Sequence, residues 1–156
     1  MGGRGIPRQE LLIYVLDVAH ELDRFPHSGQ ICIIRPEEVL FVGKSVQIAE
    51  ESVVETDRSG DVTMFVPLYS PPEVFEGRLH PTAQQYALAI VYQLMLTGTP
   101  PFNGRTAAQL TAQHIRLAPD VSSLPPMDRP IVSRALNKAP VDRYRNCVEF
   151  ARALPQ

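Results

Sequence analysis

The chain has 156 residues, a formal net charge of −2, 44% hydrophobic residues and 21% charged ones. A domain of that size buries about two-thirds of the surface its unfolded form exposes, and its apolar share is too high for a disordered segment. Near-neutral charge supplies no general field for nucleic acid or anionic membrane, so neither is expected as a partner. Cys32 and Cys147 are too few and too isolated for a disulfide scaffold, which points to a reducing, cytoplasmic setting. The start, MGGRGIPRQE, has no apolar signal core, and the longest apolar stretch, Tyr86–Leu96, is about half the ~20 residues a membrane span needs. No membrane insertion is expected. Two lysines, Lys44 and Lys138, stand against thirteen arginines.

In chain order, residues 1–6 are glycine-rich and read as a flexible lead-in to one domain over 7–156. Pro7 suits a first helical turn, and Leu11, Val15, Val18 and Leu22 recur at helical spacing through 10–24. The segment Phe25-Pro26-His27-Ser28-Gly29 ends that helix. Ile31-Cys32-Ile33-Ile34 is apolar without alternation, as in a short buried strand or a tightly packed loop. Val39–Val42 and Val46–Ile48 flank Gly43-Lys44-Ser45, which predicts a β-hairpin. Residues 50–63 are polar and read as a mobile surface loop. Pro71-Pro72-Glu73 can start one helical turn. Thr82–Thr97 is apolar nearly all round, the signature of a helix buried inside a domain, with Gly98 to cap it and Pro100-Pro101 to prevent its return. Three further helices are expected near 105–117, 128–138 and 146–154. The fold class is mainly α, with one small hairpin.

Few local motifs carry chemistry. Val42-Gly43-Lys44-Ser45 is similar to the end of a phosphate-binding loop, but Glu38 stands where the first glycine belongs and a strand follows where a helix is needed, so the reading is a hairpin turn. His20, His27, His80 and His114 show no paired-ligand spacing with each other or with the cysteines.

The order of elements is more informative. The pieces RPEEVLFVG, YSPPEVFEG, QQYALAIVYQLMLTGTPPF and NKAPVDRYRNCVEFARAL, together spanning about 5–154, resemble the C-terminal lobe of a bacterial eukaryotic-like Ser/Thr protein kinase. Pro72-Glu73 matches the end of that family's Ala-Pro-Glu motif, and Arg143 matches the late arginine that pairs with its glutamate. The resemblance therefore implies a buried Glu73–Arg143 ion pair. It sets Ile31, Cys32 and Ile33 at the His-Arg-Asp positions, Arg35 at the lysine and Glu38 at the asparagine of the catalytic loop. Glu50, Glu51 and Ser52 stand at Asp-Phe-Gly, Val66 at the threonine that contacts the catalytic aspartate, and Gln84 at an aspartate of the central helix.

An isoleucine cannot accept a proton. The expectation that follows is a chain that is not an enzyme: a degenerate, pseudokinase-like lobe without cofactor or metal, with ATP binding unfavoured, acting as a protein-binding or scaffolding module. The interface, for a homodimer or another protein, would be the face holding Ile33, Leu40 and Val42. The alternative is a fragment of, or in-trans partner to, an active ATP-dependent Ser/Thr kinase, for which Glu37 and Glu38 are the only acids near Ile33. Thr56, Ser59 and Thr63 are accessible candidates for phosphorylation.

Overall fold

In a computed structural model of the chain, residues 6–25, 30–43 and 45–156 are described, with the side chain of Phe41 left aside. The lead-in at 1–5, the helix stop at 26–29 with its His27, and Lys44 lie outside the described residues. Helix α1, Arg8–Leu22, buries Leu11, Leu12, Val15, Val18, Ala19 and Leu22 on one broad face. Pro7 caps it rather than entering its first turn, and Leu11 N–H bonds the Pro7 carbonyl at 3.0 Å.

The strands form two two-stranded sheets rather than a single hairpin. β2, Val39–Val42, and β3, Ser45–Ile48, pair antiparallel with Val42 opposite Ser45, and Gly43 takes φ +64° at the turn. β1, Gln30–Cys32, pairs antiparallel with β4, Val53–Glu55, placing Ile31 opposite Val54. The 50–63 segment therefore corrects its reading as a loop throughout. Glu50–Ser52 makes a short 3-10 turn, β4 buries Val54, and Thr56 bridges Val62. Its polar composition hid one fully buried valine, Val54, with Val53 and Val62 packed against the core beside it, and burial on one face fixes the register of a strand.

Helix α2, Pro72–Phe75, is one turn. Helix α3, Ala83–Thr97, is buried at every position from Ala83 to Gln93, so the whole domain is built around it. α1 and the last helix, α6 (Cys147–Ala153), pack on each other and on α3, as does α5 (Arg129–Ala135). α4, Ala107–Arg116, and α6 are opened by Thr106 and Asn146, whose side chains accept from Gln109 N–H and Glu149 N–H. The mostly helical fold and its single apolar core follow: buried side chains run from Leu11 to Leu154. Among the described residues no helix is long and apolar enough to cross a membrane.

Two polar devices lock the packing. Asp128, fully buried, accepts from Arg8 at 2.6 and 3.0 Å and from the Tyr92 hydroxyl at 2.7 Å, and Arg8 also donates to the Pro155 carbonyl, which ties the two ends of the domain together. Gly98 ends α3 at φ +73°, its N–H bonded to the Leu94 carbonyl at 2.8 Å. A Cβ there would meet nothing within 4 Å, so Gly98→Ala isolates the left-handed backbone cost, an expected loss of about 1 kcal/mol by denaturant titration. A neutral substitution would show that the cap contributes nothing to stability.

Candidate functional site

The residues singled out by sequence fall into three neighbouring groups. In the first, Ile31 and Cys32 belong to β1, with Ile33 just after it, and the three are 0–2% exposed. Ile33 is thus not part of an exposed apolar face. Its N–H bonds the Ser52 carbonyl at 2.8 Å, which continues the β1–β4 ladder and turns the side chain into the core. Leu40 and Val42 are exposed, at 52% and 56%. The Cys32 N–H donates to Gln84 Oε1 at 2.9 Å, and Gln84 Nε2 donates to the Leu22 carbonyl at 2.8 Å. One neutral amide therefore joins β1, α3 and the end of α1. Burial pushes the Cys32 thiol up to about 12, so it is no nucleophile.

The second group lies at the 3-10 turn Pro36–Glu38. Arg35 Nε and Nη2 both donate to Glu38 Oε1, the former at 2.8 Å, while the Ser52 hydroxyl donates to Glu38 Oε2 at 2.6 Å. Burial alone would raise the Glu38 carboxyl, but the hydrogen bonds from Arg35 and Ser52 outweigh it and hold the pKa below its ordinary value. Glu37 Oε1 lies 3.9 Å from Arg35 Nε with its side chain 68% exposed. Glu50 and Glu51 are exposed on their own turn, and among the described residues no three His, Cys, Asp or Glu side chains converge as metal ligands do.

The third group surrounds α2. Val66 is buried, its N–H donating to the Ser70 hydroxyl at 3.0 Å and its carbonyl accepting from Ser70 N–H at 2.8 Å. Arg143 donates to both oxygens of Glu73, from Nη1 at 2.6 Å and Nη2 at 2.9 Å. The guanidinium has no exposed surface, and Nε closes on the Asn137 carbonyl at 2.8 Å while the group lies 4.9 Å from the Tyr86 ring centroid. This is the bidentate, fully hydrogen-bonded geometry that a buried charge pair requires.

Sequence reasoning missed His114. It is fully buried in a box of Tyr86, Phe75 and Phe102, with Nδ1 2.6 Å from the Tyr86 hydroxyl. Nε2 finds no hydrogen-bond partner. The available signal was weak, because α4 has only one other inward-leaning apolar residue nearby, Leu110, and a histidine on such a helix reads as solvated.

No family model matches the chain. It is similar to the serine/threonine-protein kinase PknF of Mycobacterium tuberculosis, 32% identical over 96% of this chain and 35% of that protein. It is similar also to the serine/threonine-protein kinase drp72 of Corynebacterium efficiens, 30% identical over 94% of this chain and 30% of the other. A shorter match, 39% identical over 56% of this chain, links it to the serine/threonine-protein kinase Pkn1 of Myxococcus xanthus. The chain thus spans about a third of the first of these relatives and matches a region of bacterial Ser/Thr kinases along nearly its whole length. These matches correct the expectation of a chain that is not an enzyme: it was drawn from substitutions at a few positions, whereas the relatives matched across the chain are named as protein kinases.

Proposed function

We propose that this chain supplies the helical, C-terminal lobe of an ATP-dependent serine/threonine protein kinase, working with a nucleotide-binding lobe on the same polypeptide or on another. The observation that carries this reading is the Glu73–Arg143 pair. A buried bidentate ion pair between a one-turn helix and a loop 70 residues away stands where the kinase resemblance requires one. The Cys32–Gln84 bond supports it by anchoring the strand at the His-Arg-Asp positions to the central helix.

In this reading the chain's part in phosphotransfer is to position the protein substrate and to accept the proton of its hydroxyl. Ile33 has no atom for that task. Both oxygens of Glu38 are engaged by Arg35 and Ser52, and a cation already occupies that carboxylate. These residues therefore do not fit the divalent metal that the family holds with its asparagine and aspartate. Glu37, exposed beside Arg35, is the acid whose oxygens remain open to a substrate, and we assign it the base.

The test is phosphate transfer from radiolabelled ATP to a general acceptor protein, with this chain mixed with the separately produced nucleotide-binding lobe of PknF. Incorporation should require both partners, and Glu37→Gln should lower it about a hundredfold, the typical worth of a positioned base. Incorporation no greater than that of the nucleotide-binding lobe alone would overturn the reading. Full activity of the Glu37 variant would overturn the assignment of the base only.

A further inference from the structure

The loop that leads from α2 into α3 and the 3-10 turn Pro140–Asp142 face each other across a cavity of about 560 Å³, lined by Glu73, Arg78, Leu79, His80, Pro140 and Val141. That volume lies in the range that holds small organic ligands. The walls are mostly apolar, and Val141 is 82% exposed, an aliphatic side chain with no protein surface to cover it. Three polar groups line the cavity, and their commitments differ. Glu73 gives both carboxylate oxygens to Arg143, so the cavity offers no free acid. Arg78 bonds Glu76 on the surface through Nη2, with its side chain 71% exposed, and its other N–H donors stay open. His80 Nδ1 accepts the Thr82 N–H at 3.2 Å and lies 2.8 Å from the Thr82 hydroxyl. A ring nitrogen that accepts a backbone N–H carries no proton, so the neutral imidazole holds its proton on Nε2. Nε2–H is therefore a donor of fixed position, and among the described residues no acceptor meets it.

We infer that this cavity is a binding site for a small aromatic carboxylate, with its ring between Leu79, Pro140 and Val141 and its carboxylate on His80 Nε2–H and Arg78. Two donors without a free acid beside them favour an anion over a cation or a neutral polar ligand. A rigid ring also loses less rotational freedom on binding than a flexible acyl chain of the same apolar area. The site lies apart from the phosphotransfer reading and does not rest on it. Its ligand touches both the loop behind α2 and the turn that leads into Arg143, the two ends of the Glu73–Arg143 pair. Binding therefore braces that pair and tightens the seat of α2.

The experiment titrates 1-naphthoate into the full chain, labelled at leucine and valine methyls, and follows methyl and imidazole NMR signals at pH 7.5. The Leu79 and Val141 methyls and His80 Nε2 should shift together and saturate, with a Kd on the order of 1 mM for a ligand of that size. The methyls of Leu40 and Leu117, exposed elsewhere on the domain, should stay still. Val141→Glu sets a carboxylate at an exposed position beside the cavity, so it keeps the fold and should weaken naphthoate about tenfold. Arg78→Gln should weaken naphthoate about threefold and leave the binding of neutral 1-naphthalenemethanol unchanged. Shifts that never saturate, equal shifts at Leu40 and Leu117, or a Val141→Glu variant that binds naphthoate as well as the parent would each overturn the proposal. So would equal affinity for the alcohol and the carboxylate, because the cavity would then select a ring and not an anion.

Discussion

Replacing Glu73 by Gln is expected to destabilise the domain by about 3–5 kcal/mol, lowering its thermal midpoint by roughly 10 °C. The magnitude follows from what is left behind. Arg143 has no exposed surface, so its charge cannot turn to water, and its remaining partners are the Asn137 carbonyl, the Thr82 hydroxyl at 3.4 Å and the Tyr86 ring. None of these carries a negative charge. Arg143→Met should cost a similar amount, stranding a carboxylate that is 3% exposed. Glu73→Gln combined with Arg143→Met should cost much less than the two single losses together, because neither charge remains to be buried alone. Urea titration of the four proteins reads the cycle directly. Single losses under 1 kcal/mol, or a double mutant as costly as the sum, would show that the pair does not hold α2 against the rest of the fold. If the pair does hold it, the effect should reach α4, since the Phe75 ring of α2 lies tilted against His114 with centroids 5.8 Å apart.

The same residues show what a sequence discloses and what it hides. Helix α3 was legible because burial on all sides leaves a run of apolar residues that no surface helix has, and Gly98 marks its end with a backbone conformation that other residues resist. β4 was not legible: of its three residues only Val54 is fully buried, and the Val53-Val54 pair is short and set among polar residues that describe a loop equally well. Glu73 and Arg143 are 70 residues apart, beyond the reach of any periodicity, and only a resemblance to a known family could couple them. At the site, residue type misled in a specific way. Ile33, read as an exposed apolar side chain, is drawn inward by the ladder that its own backbone makes with Ser52. Glu38, read as one of two acids near Ile33, is enclosed by an arginine three residues before it and a serine fourteen residues after. The residues that the resemblance sets at the family's catalytic positions can be read letter by letter, but letters alone do not outweigh a likeness to a named kinase over 96% of the chain.

His114 should make the domain acid-sensitive in a window that carboxylates do not share. Burial, then repulsion from Lys138, lowers its pKa from 6.5 to about 4, so the folded domain keeps the ring neutral where the unfolded chain protonates it. Between pH 6.5 and 4 the unfolded state therefore binds more protons, and stability falls as pH falls. The full effect is about 3 kcal/mol, present above pH 6.5 and lost by pH 4. Backbone hydrogen bonds at Pro67 and Leu68 oppose the lowering without cancelling it, and the side chains around the ring do not offset it. Tyr86 is held neutral by burial, Phe75 and Phe102 do not titrate, and Lys138 stays cationic throughout that range. His114→Phe fits the same aromatic box but takes the Nδ1 partner from the buried Tyr86 hydroxyl, so it should cost about 2 kcal/mol at pH 7.5. At pH 4 the variant should be the more stable protein. The measurement is the difference in unfolding free energy between the two proteins across pH 4–7.5, which cancels the titration of carboxylates common to both. Parallel curves would mean that the ring opens to water before it protonates. A crossing near pH 5 would establish that α4 is seated on α3 through a histidine that the fold requires to be neutral.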